Sequence, residues 1–281
     1  MRLRGVRKSG NVEDRRKRGG KAGKGAGIGG VGLLVILAIG YFAGIDVTPF
    51  LDGQTAGGQQ TAPRELTAEE ERAAEFSSKV LATTEDVWDQ VFTRAFGQDY
   101  TPPTLVLYSG VTQSPCGGAS GATGPFYCPA DKKAYLDTEF FATMSRQLGA
   151  KGDFAAAYVI AHEVAHHVQN ELGILAKVHM QRKRSSQVEA NALTVRLELQ
   201  ADCLSGVWAR AVGGLLEPGD LEEALNAARQ IGDDTLQRRA GRVPQPHTFT
   251  HGTSAQRQRW FATGYDSGDP NTCDTFGTNR L

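Results

Sequence analysis

The segment His162-Glu163-Val164-Ala165-His166 constrains this 281-residue chain more than any other feature. Phe154, Tyr158, Ala161, Ala165 and Val168 recur around it at helical spacing, with Val164 beside the stripe, so the run predicts a helix. Residues four apart share a helix face, and His162 and His166 can therefore aim two imidazoles at one ion. Glu163 stands next to the first histidine and can reach a metal-held water without being a ligand. Two neutral nitrogens and one carboxylate base form the minimum donor set of a zinc hydrolase, with Zn2+ as cofactor. His167 falls about 100° further round the helix and reads as a neighbour or a surface residue. The pentapeptide by itself also fits a helix whose histidines meet nothing, or are hydrogen-bonded within a core.

A catalytic zinc site needs a third protein ligand and an open position. Residues 187–212 form a second apolar-periodic run, through Val188, Ala192, Val195, Leu199, Cys203, Val207 and Ala211. Within it Glu198 and Asp202 are four apart and face one way. Glu198 is the expected third ligand, with Glu189 as the alternative. Asp202 can accept the free N–H of a ligand histidine and so fix its tautomer. A solvated acidic face is the competing reading, but Leu197, Leu199 and Cys203 surround the pair.

The zero net charge hides an asymmetry. Residues 1–27 hold ten of the 31 Lys/Arg and two of the 31 Asp/Glu, so +8 there is balanced by −8 over the rest. That Gly-rich stretch reads as a basic tail. Residues 28–45 then carry no charge and have about the length needed to cross a bilayer. The positive flank predicts the N-terminus in the cytoplasm and the catalytic domain outside it, on a single-pass anchor in the cytoplasmic membrane. A cleaved signal peptide is the rival, but no small-x-small cleavage site follows the apolar run. A topology signal accounts for the basic residues without a nucleic-acid partner. Residues 46–67 read as a linker and 68–281 as the catalytic domain. Four cysteines in an exported domain suggest two disulfides, Cys116–Cys128 across a Gly-rich loop and Cys203–Cys273.

Thr67-Ala68-Glu69-Glu70 predicts a helix start, with an apolar face running to about Phe96. Residues 105–108 and 133–137 read as strands, 109–130 as a loop, and 138–148 as a helix leading into the metal helix. Further helices start near 217–220 and span 256–262. The expected class is α+β, mainly helical, with a small antiparallel sheet and one preceding transmembrane helix.

These segments together resemble a bacterial family of neutral zinc metallopeptidases. The resemblance is carried by residues 4–16 (RGVRKSGNVEDRR), by 124–131 (GPFYCPAD), by 162–169 (HEVAHHVQ), by 198–203 (ELQADC) and by 251–257 (HGTSAQR), together with the apolar segment. It covers nearly the whole chain. The Glu-x-x-Ala-Asp arrangement is similar to that of gluzincins, zinc peptidases whose third ligand is a glutamate. The resemblance implies a zincin-like domain, His162, His166 and Glu198 as ligands, Glu163 as base, and a peptide or protein as substrate. It also implies that His251, followed six positions later by Arg257, lies near the site, where His251 would serve the oxyanion or bind zinc in a resting form. The related families have proline after this histidine, where this chain has Gly252, so a structural turn is the competing role for His251. The strand 133–137 is expected to hold the substrate by main-chain pairing. A zinc-containing binding or chaperone module of the cell envelope, without proteolysis, is the alternative function.

Overall fold

Thr67 opens the first long helix by a reciprocal cap. Its hydroxyl accepts from the Glu70 amide, and the Glu70 carboxylate accepts from the Thr67 amide at 2.9 Å. The computed structural model describes residues 1–17, 65–120, 124–141, 144 and 149–281. The helix expected at 138–148 falls partly, and the anchor expected at 28–45 wholly, outside the described residues. Among the described residues no helix is long and apolar enough to cross a membrane.

In chain order the elements are β1 (Val12–Asp14), α1 (Ala68–Val91), β2 (Thr104–Tyr108), β3 (Val111–Ser114), β4 (Gly117–Ser120), β5 (Phe126–Cys128) and β6 (Lys133–Asp137). There follow α2 (Asp153–Glu171), α3 (Ile174–Arg182), α4 (Gln187–Ala211), α5 (Asp220–Gln230), α6 (Asp233–Arg239) and α7 (Ser254–Ser267). A π-helical turn, Phe92–Phe96, extends α1 to the expected end. The protein is mainly helical with small sheets, as expected.

The sheet is mixed rather than antiparallel. Its order is β1-β2-β6-β5, with β2 parallel to both β1 and β6, and only β5 antiparallel to β6. The reason lies in the stretch read as a loop. It contains the β3–β4 hairpin and then β5, which turns tightly back through Lys132 (φ 56°) to lie beside β6. That neighbour takes one side of β6 and leaves the other for β2.

The basic tail is corrected in its first seventeen residues, which belong to the domain. Val12, Glu13 and Asp14 register with Leu105, Val106 and Leu107 as the outer strand of the sheet. Arg16, almost wholly buried, donates to Asp14 and to the Glu70 carbonyl. The buried Glu85 carboxylate on α1 receives Ser9 Oγ at 2.5 Å, Asn11 Nδ2 at 2.8 Å and an Arg7 nitrogen at 2.9 Å.

The core is centred on α2, which is buried along most of its length. Phe154 stacks on Trp208 of α4 with centroids 5.7 Å apart, and Trp208 Nε1 donates to Thr83 of α1. Helices α4 and α7 meet backbone to backbone. A Cβ on Gly206 would lie 2.1 Å from the Phe261 carbonyl oxygen, and one on Gly264 would lie 1.8 Å from that of Cys203. Both expected disulfides are present, Cys116–Cys128 and Cys203–Cys273. The second ties α4 to the C-terminal segment.

Replacing Glu85 with alanine strips the N-terminal segment of three donors' common acceptor. Urea denaturation should show a loss of about 1–3 kcal/mol. An unchanged midpoint would mean that residues 1–17 add nothing to the stability of the domain.

Candidate metal centre

Helices α2 and α4 bring the expected donors to one point. His162 Nε2 lies 3.1 Å from Glu198 Oε2, and His166 Nε2 lies 3.5 Å from Glu198 Oε1. Ligand atoms of the three residues all fall within 4.8 Å of one another. The outer ring nitrogens are each held from behind. His166 Nδ1 donates to Gln169 Oε1 at 2.9 Å. His162 Nδ1 lies 2.9 Å from Asp202 Oδ1, in contact but off the line of an ideal hydrogen bond. With Nδ1 of each ring turned to an acceptor, Nε2 of each ring faces the common centre. Two imidazole nitrogens and one carboxylate oxygen, with tautomers set by their partners, match the donor chemistry of zinc.

Asp202 does more than the sequence suggested. It is fully buried and receives Arg257 twice, Nε on Oδ2 and Nη2 on Oδ1, each at 2.9 Å. The Tyr158 hydroxyl donates to Oδ1 at 2.5 Å, and Arg257 also reaches that hydroxyl at 3.2 Å. Burial alone would raise the Asp202 pKa, but Arg257 and His162 hold it below the usual carboxylate range. The same balance, with His166 as the strongest opposing charge, keeps Glu198 well below that range. Glu163 differs. It is partly exposed to the cleft, yet its carboxyl sits deep enough for burial to raise its pKa.

His251 borders the same cleft, as do Glu163 and Arg257. A turn organised by Asp233 holds it there. One oxygen of Asp233 accepts the backbone N–H groups of Thr250, His251 and Gly252, and the other lies 3.3 Å from His251 Nδ1. Gly252 has φ +90° and donates its amide to this carboxylate. Proline has neither that φ nor an N–H, so glycine here is part of how this chain builds the turn.

The remaining candidates sort cleanly. Glu189 is exposed and caps the start of α4 with Ser186, away from the histidines. His167 is buried on another side of α2. Its Nε2 donates to the Thr101 carbonyl at 2.7 Å, and its Nδ1 accepts from the Tyr127 hydroxyl of β5 at 3.0 Å. Burial lowers its pKa, in keeping with a neutral ring. It fixes the wall of the cleft against the metal helix rather than facing solvent. Strand 133–137, expected as the substrate edge, is interior between β2 and β5 and has no free edge; the outer strand on that side is β5, whose Phe126 and Tyr127 border the cleft. A further carboxylate group, Asp153, Asp220 and Glu223, offers oxygen alone; the Met1 ammonium lies 2.9 Å from Asp153, and Glu223 accepts the Phe154 amide.

Sequence reading missed Gln169, Tyr158 and Asp233. Gln169 lies three residues after His166 and Tyr158 four before His162, so helical spacing alone could have placed both on the metal face. Nothing local to Asp233 announced its partner eighteen residues on.

A helix bearing two histidines and a second bearing a glutamate define a glutamate-type metal-site arrangement. The family model described as "Putative neutral zinc metallopeptidase" matches residues 1–276, and the chain belongs to that family. Similar proteins include Escherichia coli K12 "Uncharacterized protein YpfJ", 50% identical over 99% of each chain, and Mycobacterium bovis "Uncharacterized protein Mb2605", 46% identical over 65% of each. No solved structure matches. Family membership implies zinc and peptide-bond hydrolysis.

Gln169 Nε2 donates to the Leu197 carbonyl at 2.8 Å and to Gln200 Oε1, so its oxygen is left for His166. Replacing Gln169 with leucine should weaken zinc binding about 10–100-fold in competition with a chromophoric chelator. Gln169→Glu, which keeps an acceptor, should stay within a few-fold of wild type. Equal affinities for wild type and leucine variant would show that the contact does not orient His166.

Proposed function

We propose that this protein is a zinc-dependent peptidase whose ion is held by His162 Nε2, His166 Nε2 and Glu198, with Glu163 as the general base. The observation that carries the reading is the convergence of those three donors beside a carboxylate kept out of the ligand set. Zinc bound there would supply Lewis-acid activation of a water and of the scissile carbonyl. Glu163 takes a proton from the attacking water and returns it to the departing amine. Its raised pKa suits a group that must both accept and release a proton. Asp202, anchored by Arg257 and Tyr158, orients His162, and Gln169 orients His166. His251, steadied by Asp233, donates to the oxygen that gains charge in the transition state.

The extended substrate lies along β5. That strand pairs with β6 on one side and borders the cleft on the other, leaving main-chain groups for an incoming strand. The Tyr127–His167 bond and the Cys116–Cys128 bridge hold this edge in register with the metal helix.

The two disulfides favour an oxidising compartment, and we place the domain outside the cytoplasm. Membrane attachment rests on the composition of residues 28–45. The packing of 1–17 on the domain calls for an attachment that leaves both flanks on one face. Single cysteines replacing Lys17 and Asp266, both exposed, should react alike with an impermeant maleimide on intact cells. Reaction at 266 alone would restore the single crossing and separate residues 1–17 from the domain.

Glu163→Gln should abolish cleavage of a quenched fluorescent peptide library while zinc content stays at one per chain. His251→Ala should lower kcat by about 10²–10³-fold, the usual cost of an oxyanion donor. A rise in His251→Ala would make that residue an inhibitory contact instead. Full zinc loading with no cleavage by any form would favour a binding module.

A further inference from the structure

The cleft above the metal centre, about 720 Å³, has walls of different character. Phe126 and Phe140 form an apolar rim on the β5 side, with Ile231 and Leu236 contributing elsewhere. The wall formed by α3 is different. Leu175, Ala176, His179 and Arg182 are spaced on one face of this helix, and all four border the cleft. Between Glu171 and Glu189 the chain carries Lys177, Arg182, Lys183 and Arg184, with no acidic residue. All four cations are exposed. The ion pairs among the described residues include none of them, whereas Lys132, Lys133, Arg7, Arg15 and Arg16 each have a carboxylate partner.

A solvated basic helix end is the plain alternative. Cations at a helix C-terminus complement its dipole, and Lys183 and Arg184 fit that role. It does not account for His179 and Arg182 on the face turned to the cleft, one turn apart and next to two apolar residues. Nor, among the described residues, does the cleft supply them with a free internal counter-charge. Glu163 and Glu198 are committed to the metal centre, and Asp233 to the His251 turn. What remains is a positive wall beside a site that binds extended peptides.

We propose that α3 selects substrates bearing a carboxylate on the flank that lies over it, with His179 and Arg182 as the contact residues and Lys177, Lys183 and Arg184 as the surrounding field. This rests on the peptidase reading and adds a substrate class to it: acidic peptides. The carboxylate can come from an Asp or Glu side chain or from a free C-terminus, and amidated peptides separate the two sources. Because the contact lies away from the reacting bond, it acts on KM more than on kcat. Salt screens it, since the cations are exposed.

The test uses one neutral, C-terminally amidated parent peptide. Derivatives carry Glu, Gln or Lys at each of four positions either side of the cleaved bond, and one parent has a free C-terminus. Wild type should favour a Glu derivative over its Gln counterpart by about two- to fivefold in kcat/KM, in line with one partly exposed ion pair, and disfavour Lys. The ratio should shrink toward one at high salt and invert in Arg182→Glu. Preference confined to the free C-terminus would assign the wall to terminal carboxylate capture. Binding of the same peptides to zinc-loaded Glu163→Gln protein, read by fluorescence anisotropy, keeps the two ideas apart. Acidic preference in binding without turnover in wild type would sink the peptidase reading and keep this one. Turnover with equal Glu, Gln and Lys values, or a ratio unmoved by Arg182→Glu, would overturn it.

Discussion

The metal-site geometry hangs on one buried carboxylate. Asp202 on α4 has no exposed surface, and three partners from two other helices converge on it: Tyr158 and His162 from α2, and Arg257 from α7. A carboxylate so far from water is tolerable only with a paired charge and filled hydrogen-bonding sites, and the two-point contact with Arg257 provides both. Breaking such a pair costs about 3–5 kcal/mol because the surviving charge is stranded. The same residue therefore locks α2, α4 and α7 together and sets which nitrogen of His162 faces the centre. Stability and ligand geometry are not separable here.

The backbone contact between α4 and α7 makes that pairing possible. Gly206 and Gly264 sit where any side chain would meet a carbonyl oxygen, so the helices approach closely enough for Arg257 to reach Asp202 within the core. The Cys203–Cys273 bridge leaves α4 five residues after Glu198 and pins the C-terminal segment. Gln200, between them, donates to the Cys273 carbonyl and accepts from Gln169. A chain of contacts thus runs from the disulfide to His166. The N-terminal segment plays the matching part at the sheet, where β1 closes the side opposite β5.

Much of the centre was legible because helical periodicity is local. His162 and His166, and Glu198 and Asp202, follow from i, i+4 spacing on two strongly periodic runs, Glu163 from its place beside His162, and both disulfides from cysteine placement. What escaped was set by contacts distant in sequence. The parallel pairing of β2 with β6 depends on β5 taking the other side, inside a Gly-rich stretch that reads as loop. Residues 1–17 look like a tail because their charge is conspicuous, whereas their partners, Glu70, Glu85 and β2, lie beyond residue 65. Charge patterning described the segment correctly and misplaced it. Asp233 was invisible for the same reason: its work is done on amides of a turn that only tertiary packing brings near.

We propose that one ion sits among His162, His166 and Glu198, bound through Nε2 of both rings. Anomalous diffraction at the zinc edge from zinc-loaded protein tests it most directly. One dominant peak is expected about 2.0–2.2 Å from both Nε2 atoms and from a Glu198 oxygen, with Glu163 outside the ligand set. A dominant peak at Asp153, Asp220 and Glu223, or one with Glu163 as a ligand, would contradict it.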